Sequence, residues 1–436
     1  MKLKNNRGGK HAAPLRLRHV LLPLALVMVL CAVAIAAFFL LRGRAEPAAP
    51  TAAPNVSAVP TDTPSAAPEI VTPTPDPSIA AAVALFSYAE RLAEEMTLEE
   101  KVWQMFFVTP EQLTGEDAVT RAGEATQAAM ENRPVGGIIY FAANIKTPEQ
   151  TREMLANSQS CSKIPCFLGV DEEGGRVARV GRNADMRVPL IPAMATIGAT
   201  GDADEAYNAA ATIGGYLTEL GFNVDFAPVA DIVTNPKNTE IGDRAFSDDA
   251  SVAAEMVDAA VRGLRSAGIA SVIKHFPGHG STQTDSHHGY SESTRTLEEL
   301  RANEFLPFRA GIAADTEFVL VSHMTAINVD EAGTPSTLSR IIITDILRNE
   351  LGFEGLVITD SMRMGALTDA HTAGEAAVLA VAAGCDMLLM PQDLDAAVRG
   401  ILDAIATGIL SEERINESVV RILHTKLKIG IMSPEN

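Results

Sequence analysis

The sequence predicts an α/β fold, a (β/α)8 barrel that fills residues 80–430 as a single domain. Three observations favour this fold. Short apolar runs alternate with helical patterns, the runs lack the period-two alternation of a half-exposed sheet, and there are eight of them. A doubly wound sheet shares the first two features, but eight repeats of strand followed by helix favour the closed barrel.

Most of the eight runs are rich in β-branched and aromatic residues, as strands buried on both faces are. The predicted strands are Met105–Val108, Gly136–Phe141, Cys166–Asp171, Asn223–Val229, Ser271–Phe276, Phe318–Met324, Gly355–Asp360 and Asp386–Met390. Amphipathic stretches such as Asp204–Leu220 and Ala250–Ala267 lie between them and predict helices.

Polar side chains gather at or near the C-terminal ends of five of these runs. They are Asp171, Asp225, Lys274 with His275, His323 and Asp360. Any one of them alone could be a strand cap or a loop residue. Because the C-terminal ends of the strands form the active-site face of a (β/α)8 barrel, residues from five strands together predict a functional site.

The N-terminus predicts a membrane anchor. Residues 20–41 are 22 residues without a charge, about the length that spans a bilayer core. Residues 1–19 form a basic tail, which the positive-inside rule places in the cytoplasm, so the rest of the chain is expected outside the cell. Cleavage after a small residue such as Ala37 stays open and would give a secreted protein.

Residues 42–79 predict a disordered linker between this segment and the barrel. Nine prolines occur between Glu46 and Ser78, with no aromatic residue and no apolar periodicity. Such a composition is typical of an extended stalk rather than of a folded unit.

Charge and cysteine content narrow the function classes. The 436 residues carry a net charge of −20, and residues 45–436 hold 27 basic against 55 acidic side chains. This excess of acid argues against nucleic acid as a partner. Four cysteines are too few for a disulfide scaffold, although Cys161 and Cys166 could pair in an oxidising compartment. The alternative is that each is a small buried apolar residue.

The segment Lys274–His288, KHFPGHGSTQTDSHH, holds four histidines within fifteen residues. A metal site is disfavoured, because Pro277 and Gly278 break any helix between His275 and His279 and no zinc motif accompanies them. We predict no metal ion and no cofactor. A GxSxG elbow is also absent.

Acid–base chemistry fits this segment better. Asp285 can hydrogen-bond one ring nitrogen of His287 and leave the other free to exchange a proton with a substrate. An unperturbed imidazole titrates near pH 6.5, so such a base needs little tuning. The alternative is a surface loop of solvated histidines.

KHFPGHG, followed five residues later by DSH, resembles the signature of glycoside hydrolase family 3. It is closest to the single-domain bacterial β-N-acetylglucosaminidases, also called β-N-acetylhexosaminidases. The resemblance extends over about residues 98–426, and four further motifs occur in family order. These are Gly169–Arg179, Asn223–Asp231, Ile241–Ser247 and Val357–Ala366.

The resemblance implies roles for individual residues. Asp360 corresponds to the nucleophile, although an aspartate at that point could also be a helix N-cap. His287 corresponds to the acid/base, Asp285 orients it, and the adjacent His288 is secondary. The positions that resemble sugar-binding residues are Asp171, Arg179, Arg244, Lys274 and His275. For Arg176 we expect a structural ion pair.

The implied activity is exo-acting hydrolysis with retention, which releases terminal β-linked N-acetylglucosamine from cell-wall fragments or glycans through a covalent glycosyl-aspartate. Three alternatives stay open. A neutral histidine base does not repel phosphate, so the chain could be a phosphorylase. It could be a β-glucosidase or β-xylosidase of the same family, or an inactive wall-binding barrel.

Overall fold

The computed structural model describes residues 77–282 and 291–434, and within them eight parallel strands form one sheet. In chain order the strands β1 to β8 are Phe106–Val108, Gly137–Tyr140, Phe167–Val170, Val224–Asp225, Ala270–Phe276, Phe318–Val321, Leu356–Thr359 and Leu388–Leu389. From β1 to β7 each strand pairs with the next one in the chain, and β1 pairs with β8. A bridge between Ile358 and Met387 joins β7 to β8 and closes the sheet. The predicted barrel is therefore confirmed.

Strand β4 is much shorter than the run Asn223–Val229 that predicted it. Pro228 has no backbone N–H, so it cannot donate to a neighbouring strand. The chain leaves regular pairing after Asp225 and returns at Val229, which forms a bridge with Lys274. The Ala230 N–H then donates to the Lys274 carbonyl at 2.6 Å. This irregular exit carries the chain towards Asp231 at the rim of the barrel.

Helices follow the strands and cover the outside of the barrel. The α-helices of seven or more residues are Pro77–Glu95, Leu98–Gln104, Glu124–Asn132, Pro148–Ser160, Ala203–Leu220, Ala250–Ser266, Phe305–Ala313, Ala373–Ala383, Leu394–Ala406 and Glu412–Lys428. Shorter ones are Pro110–Thr114, Met194–Gly198, Leu297–Ala302 and Gly365–Thr368, and Ile341–Glu350 is a π-helix. The two predicted helices are present, and each begins after an aspartate, Asp202 or Asp249, whose side chain caps the first turn.

The N-terminal end of the barrel is filled by aromatic side chains. The rings of Phe107 and Phe167 stack at 6.3 Å, and Phe318 meets Phe167 edge-on at 5.2 Å. The fully buried Lys426 lies over Phe167 at 5.1 Å, and its ammonium group donates to Gln104 Oε1 at 2.7 Å. Burial lowers the pKa of Lys426 to about 8. This end is a packed core.

The sequence also gave predictions for the N-terminal region and for the cysteines. The predicted anchor and nearly all of the linker lie outside the described residues, and the helix Pro77–Glu95 begins within the last three linker residues. No helix of residues 77–282 and 291–434 is long and apolar enough to cross a bilayer. Cys161 and Cys166 are free thiols, so no disulfide bond joins them.

Candidate active site

Polar residues from three strands meet at the C-terminal rim of the barrel. Asp171 directly follows β3, Lys274 lies near the end of β5, and Asp360 directly follows β7. The Lys274 ammonium group donates to Asp171 Oδ1 at 2.8 Å, although 103 residues separate the two in sequence. The rim predicted from the strand ends is therefore a real cluster of side chains.

Glu173 holds two cations of this cluster in place. Its carboxylate lies 2.6 Å from Lys274 Nζ, and it accepts hydrogen bonds from both Nε and Nη2 of Arg244, each at 2.8 Å. The two parallel bonds to the guanidinium fix its plane as well as its position. Glu173 is almost fully buried, so this arrangement is shielded from solvent.

The charges in this group stabilise one another. Burial alone would raise the pKa of Glu173, but Lys274 and Arg244 hold it well below its ordinary value. Burial alone would lower the pKa of Lys274, but Asp171 and Glu173 raise it. All three of Glu173, Lys274 and Arg244 are therefore charged at neutral pH.

Arg179 reaches Asp171 from the side of β2. Its Nη2 lies 3.7 Å from Asp171 Oδ2, and its guanidinium lies 5.7 Å from the centre of the Phe141 ring. Asp171 thus lies between Lys274 and Arg179, and it keeps part of its surface exposed at the rim. A carboxylate so placed can accept hydrogen bonds from sugar hydroxyls while the two cations donate to them.

His275 is held by a second buried carboxylate, Asp231. The Asp231 Oδ2 atom lies 2.7 Å from His275 Nδ1 and also accepts the His275 backbone N–H. On the other side of the ring, Arg244 Nη2 lies 3.3 Å from His275 Nε2. Asp231 Oδ1 accepts the backbone N–H of His279 at 2.6 Å. His275 is therefore fixed in orientation.

Asp360 is ionised in this environment. Burial raises the pKa of its carboxyl, but the electrostatic effects of the His323 and His275 rings and of Lys274, together with the hydrogen bond from the Ser361 N–H, outweigh burial and lower the pKa below its ordinary value. The Ser361 N–H donates to Asp360 Oδ1 at 2.7 Å. An aspartate held as the anion next to cationic donors has the charge state of a nucleophile.

His323, from the end of β6, supports the turn that carries Asp360. Its Nε2 lies 2.9 Å from the Ser361 carbonyl, to which it donates, and its Nδ1 lies 2.7 Å from Thr337 Oγ1. The ring is fully buried, so these contacts fix the backbone just beyond the carboxylate. The sequence indicated His323 only as one polar residue at a strand end.

The structure brings together most of the predicted site, but not all of it. Asp171, Arg179, Arg244, Lys274 and His275 form one contact network. Arg176 lies apart, in the expected ion pair, with its Nε 2.9 Å from Asp243 Oδ1. Asp285, His287 and His288 lie outside the described residues. Their roles stay predictions.

Sequence reasoning gave no role to Glu173 or Asp231. Both lie inside motifs that carry the resemblance: Glu173 is the third acid of GVDEEGG, and Asp231 is the second acid of NVDFAPVAD. These additional acids were the available signal, because a further acid near a strand-end acid can pair with a cation from a neighbouring strand. Within the described ranges, no three His, Cys, Asp or Glu side chains converge to hold a metal ion.

Comparison with known proteins places this chain in a family. Residues 97–425 match the glycosyl hydrolase family 3 N terminal domain. β-Hexosaminidase A of Pseudoalteromonas piscicida is 32% identical over 324 residues, which cover 68% of this chain and 54% of that protein. A β-hexosaminidase of Idiomarina loihiensis is 33% identical over 322 residues, which cover 72% of this chain and 92% of that protein.

A solved structure has the same fold. It is a glycoside hydrolase family 3 β-N-acetylglucosaminidase from Paenibacillus sp. str. FPU-7, 37% identical, with a TM-score of 0.72. The match covers 77% of this chain and 63% of that one, so this chain spans only part of some of its longer relatives. Because the family domain matches three quarters of its length, this protein belongs to glycoside hydrolase family 3.

Proposed function

We propose that this protein is a retaining, exo-acting glycoside hydrolase that releases terminal β-linked N-acetylglucosamine from cell-wall fragments or glycans. The observation that carries the proposal is the ionised Asp360 at the same rim as the Asp171–Lys274 pair. A nucleophile and sugar-binding donors and acceptors together are what double displacement at a sugar requires.

In the first step, Asp360 attacks the anomeric carbon and forms the bond to the sugar. The bond from that carbon to the glycosidic oxygen breaks, and protonated His287 gives its proton to the departing oxygen. Asp285 orients the imidazole. In the second step, water attacks the anomeric carbon of the glycosyl-Asp360 ester from the face opposite Asp360, and neutral His287 takes the proton from the water. The bond from the anomeric carbon to the Asp360 oxygen breaks, and Asp360 leaves as the carboxylate.

The pocket is prepared for a neutral, hydroxyl-rich ligand. Asp171 supplies acceptors, and Lys274 and Arg179 supply donors at the rim. Arg244 donates from Nε and Nη2 to Glu173 and from Nη1 to the Glu240 carbonyl, so its contribution to the sugar runs mainly through His275. The preference for an N-acetylated sugar rests on the names of the relatives, which are β-hexosaminidases and a β-N-acetylglucosaminidase.

The proposal includes a location outside the cell, tethered by residues 20–41 and carried on the proline-rich linker. Its support is the sequence, namely 22 uncharged residues preceded by six Lys or Arg. The full chain with a C-terminal tag, expressed in bacteria, should be found in the membrane fraction and be digested by protease added to spheroplasts. Tagged protein in the cytosol would contradict this part of the proposal.

The activity is tested with 4-methylumbelliferyl N-acetyl-β-glucosaminide and the variants Asp360→Asn and Asp369→Asn. Asp369 is an exposed aspartate nine residues further on, so it serves as the matched control. We expect Asp360→Asn to lower kcat by about 10³-fold or more and Asp369→Asn to leave it unchanged. Full activity of Asp360→Asn would contradict the proposal.

The same assay decides between related activities. Equal turnover of the plain β-glucoside and β-xyloside would indicate a different sugar specificity. Running the reaction with and without inorganic phosphate, and identifying the product as free sugar or sugar phosphate, distinguishes hydrolysis from phosphorolysis. Free N-acetylglucosamine in both reactions is the expected result.

A further inference from the structure

Asp231 is a buried carboxylate beside the proposed sugar site, and its hydrogen-bond partners among residues 77–282 and 291–434 are donors. Its Oδ2 meets the His275 backbone N–H at 3.2 Å and the His275 ring at 2.7 Å. Its Oδ1 meets the His279 backbone N–H at 2.6 Å. The side chain has no exposed surface, so it cannot touch a substrate itself. Any role in the reaction must act through its neighbours.

The contacts on both sides of the His275 ring require the same tautomer. A carboxylate can only accept hydrogen bonds, so the Nδ1 atom that faces Asp231 must carry a proton. A guanidinium can only donate, so the Nε2 atom that faces Arg244 Nη2 at 3.3 Å must present its lone pair. Together the two neighbours select a neutral ring with its proton on Nδ1.

The charges around Asp231 keep it able to accept. Burial raises the pKa of its carboxyl, but the electrostatic effects of His275 and His279 and the hydrogen bonds that these two residues donate lower it below the ordinary value. Arg244 lies on the far side of His275 and adds a permanent positive charge to the same group. Asp231 is therefore an anion whenever the barrel is folded at neutral pH.

We propose that Asp231 is a positioning residue that holds His275 as a hydrogen-bond acceptor at Nε2 for a sugar hydroxyl. Next to it, Lys274 Nζ can only donate, so consecutive residues of β5 offer the sugar one donor and one acceptor. A sugar hydroxyl that donates to Nε2 displaces the 3.3 Å contact from Arg244 Nη2, and its oxygen keeps a lone pair that can accept from Arg244 or Lys274. This reading rests on the proposed function, because it assumes a sugar in the pocket.

Asp231→Asn is the informative change, because it keeps the shape and removes the charge. Its amide must turn an NH2 group towards either the His279 N–H or the His275 donors. In the second orientation the ring can bond only as the other tautomer, with the proton on Nε2, and it then presents a donor where the sugar needs an acceptor. Asp248→Asn, at an exposed aspartate, is the matched control.

The tautomer can be measured without activity. Nitrogen-15 NMR of histidine-labelled protein, with the His275 signals assigned through His275→Ala, should find Nδ1 protonated and Nε2 bare in the unmodified chain and in Asp248→Asn. In Asp231→Asn the Nε2-protonated form should appear in the molecules whose amide NH2 group faces the ring. A wild-type His275 with its proton on Nε2 would overturn the proposal even if the enzyme is active.

Kinetics separate positioning from a merely structural role. Asp231→Asn should lower kcat/KM for the N-acetylglucosaminide about 10- to 100-fold, the loss expected for a mispaired buried hydrogen bond. In a His275→Ala background the same change should cost less than about threefold, because the ring on which it acts is gone. Equal losses in both backgrounds would overturn the proposal. A wild-type chain with no glycosidase activity would instead contradict the proposed function. The NMR measurement would still test the tautomer of His275 in that case.

Discussion

The ammonium group of Lys274 lies 2.6 Å from a carboxylate oxygen of Glu173, at the rim of the barrel where the sugar is proposed to bind. Glu173 also binds the guanidinium of Arg244 through two bonds of 2.8 Å. One buried acid therefore fixes two cationic donors before any substrate arrives. This preorganisation reduces the conformational entropy that the site loses when the sugar binds.

Replacing Glu173 should destabilise the fold. Glu173→Gln removes the charge opposite two buried cations, and we expect the free energy of unfolding to fall by about 3–5 kcal/mol. Urea denaturation measures the change. The control is Glu149→Gln, whose side chain is 78% exposed and pairs only at the surface, with an expected change below about 0.5 kcal/mol. Equal stability of the two variants would mean that the buried pairs contribute nothing.

Lys274 should matter for binding and transition-state stabilisation. Lys274→Met removes a charged donor from the pocket, so kcat/KM should fall about 10- to 100-fold, the range for a lost charge-assisted hydrogen bond. Steady-state kinetics on the aryl N-acetylglucosaminide test this. Lys163→Met, at an exposed lysine paired with Glu100, should leave kcat/KM unchanged. A Lys274 variant that keeps wild-type kcat/KM would remove this residue from the sugar site.

The pH profile should reflect the two proposed catalytic groups. The pKa of Asp360 is lowered, so this carboxyl stays ionised from neutral pH down to about its ordinary value, near pH 4. His287 must be protonated for the first step, and an ordinary imidazole loses that proton near pH 6.5. Initial rates between pH 4.5 and 9 should therefore show kcat/KM level in acid and falling above about pH 6.5. A loss of kcat/KM in acid between pH 7 and pH 5 would contradict these assignments.

Lys426 should make stability depend on pH in the alkaline range. Its folded-state pKa of about 8 lies below the unfolded value of about 10.4, so the unfolded chain binds more protons between those values. The free energy of unfolding should therefore rise with pH above about 8, by about 3 kcal/mol in total.

Chemical denaturation at pH 7 and pH 10 measures this difference. In Lys426→Met the difference should shrink by the same amount, whereas Lys163→Met, at an exposed lysine, should keep it. An unchanged pH dependence in Lys426→Met would show that this lysine titrates normally. The lost hydrogen bond to Gln104 lowers the stability of Lys426→Met at both pH values, so it does not affect the difference between them.

The barrel was predictable because its strands are buried on both faces, so each appears as a short apolar run. The exception is β4, where the run Asn223–Val229 overstated the strand. Apolar side chains continue past Asp225, but Pro228 cannot donate in the sheet. Hydrophobicity records burial, whereas strand length also depends on which backbone groups can pair.

The site was predictable where a polar residue ends an apolar run, as Asp171 and Asp360 do. It was not predictable where the function of a side chain depends on a partner from a distant part of the chain. Glu173 acts through Arg244, 71 residues away, and Asp231 through His275, 44 residues away. No local pattern reports such pairs, because they form only when the strands close into a barrel.

The central claim is that Asp360 attacks the anomeric carbon, and trapping the covalent intermediate tests it most directly. A 5-fluoro glycosyl fluoride of N-acetylglucosamine slows both steps and keeps the first faster than the second, so the glycosyl-enzyme should accumulate. Peptide mass spectrometry should then find one sugar ester, on Asp360. A sugar on any other residue would contradict the claim, as would turnover of the fluoride without inactivation of the enzyme and without an adduct.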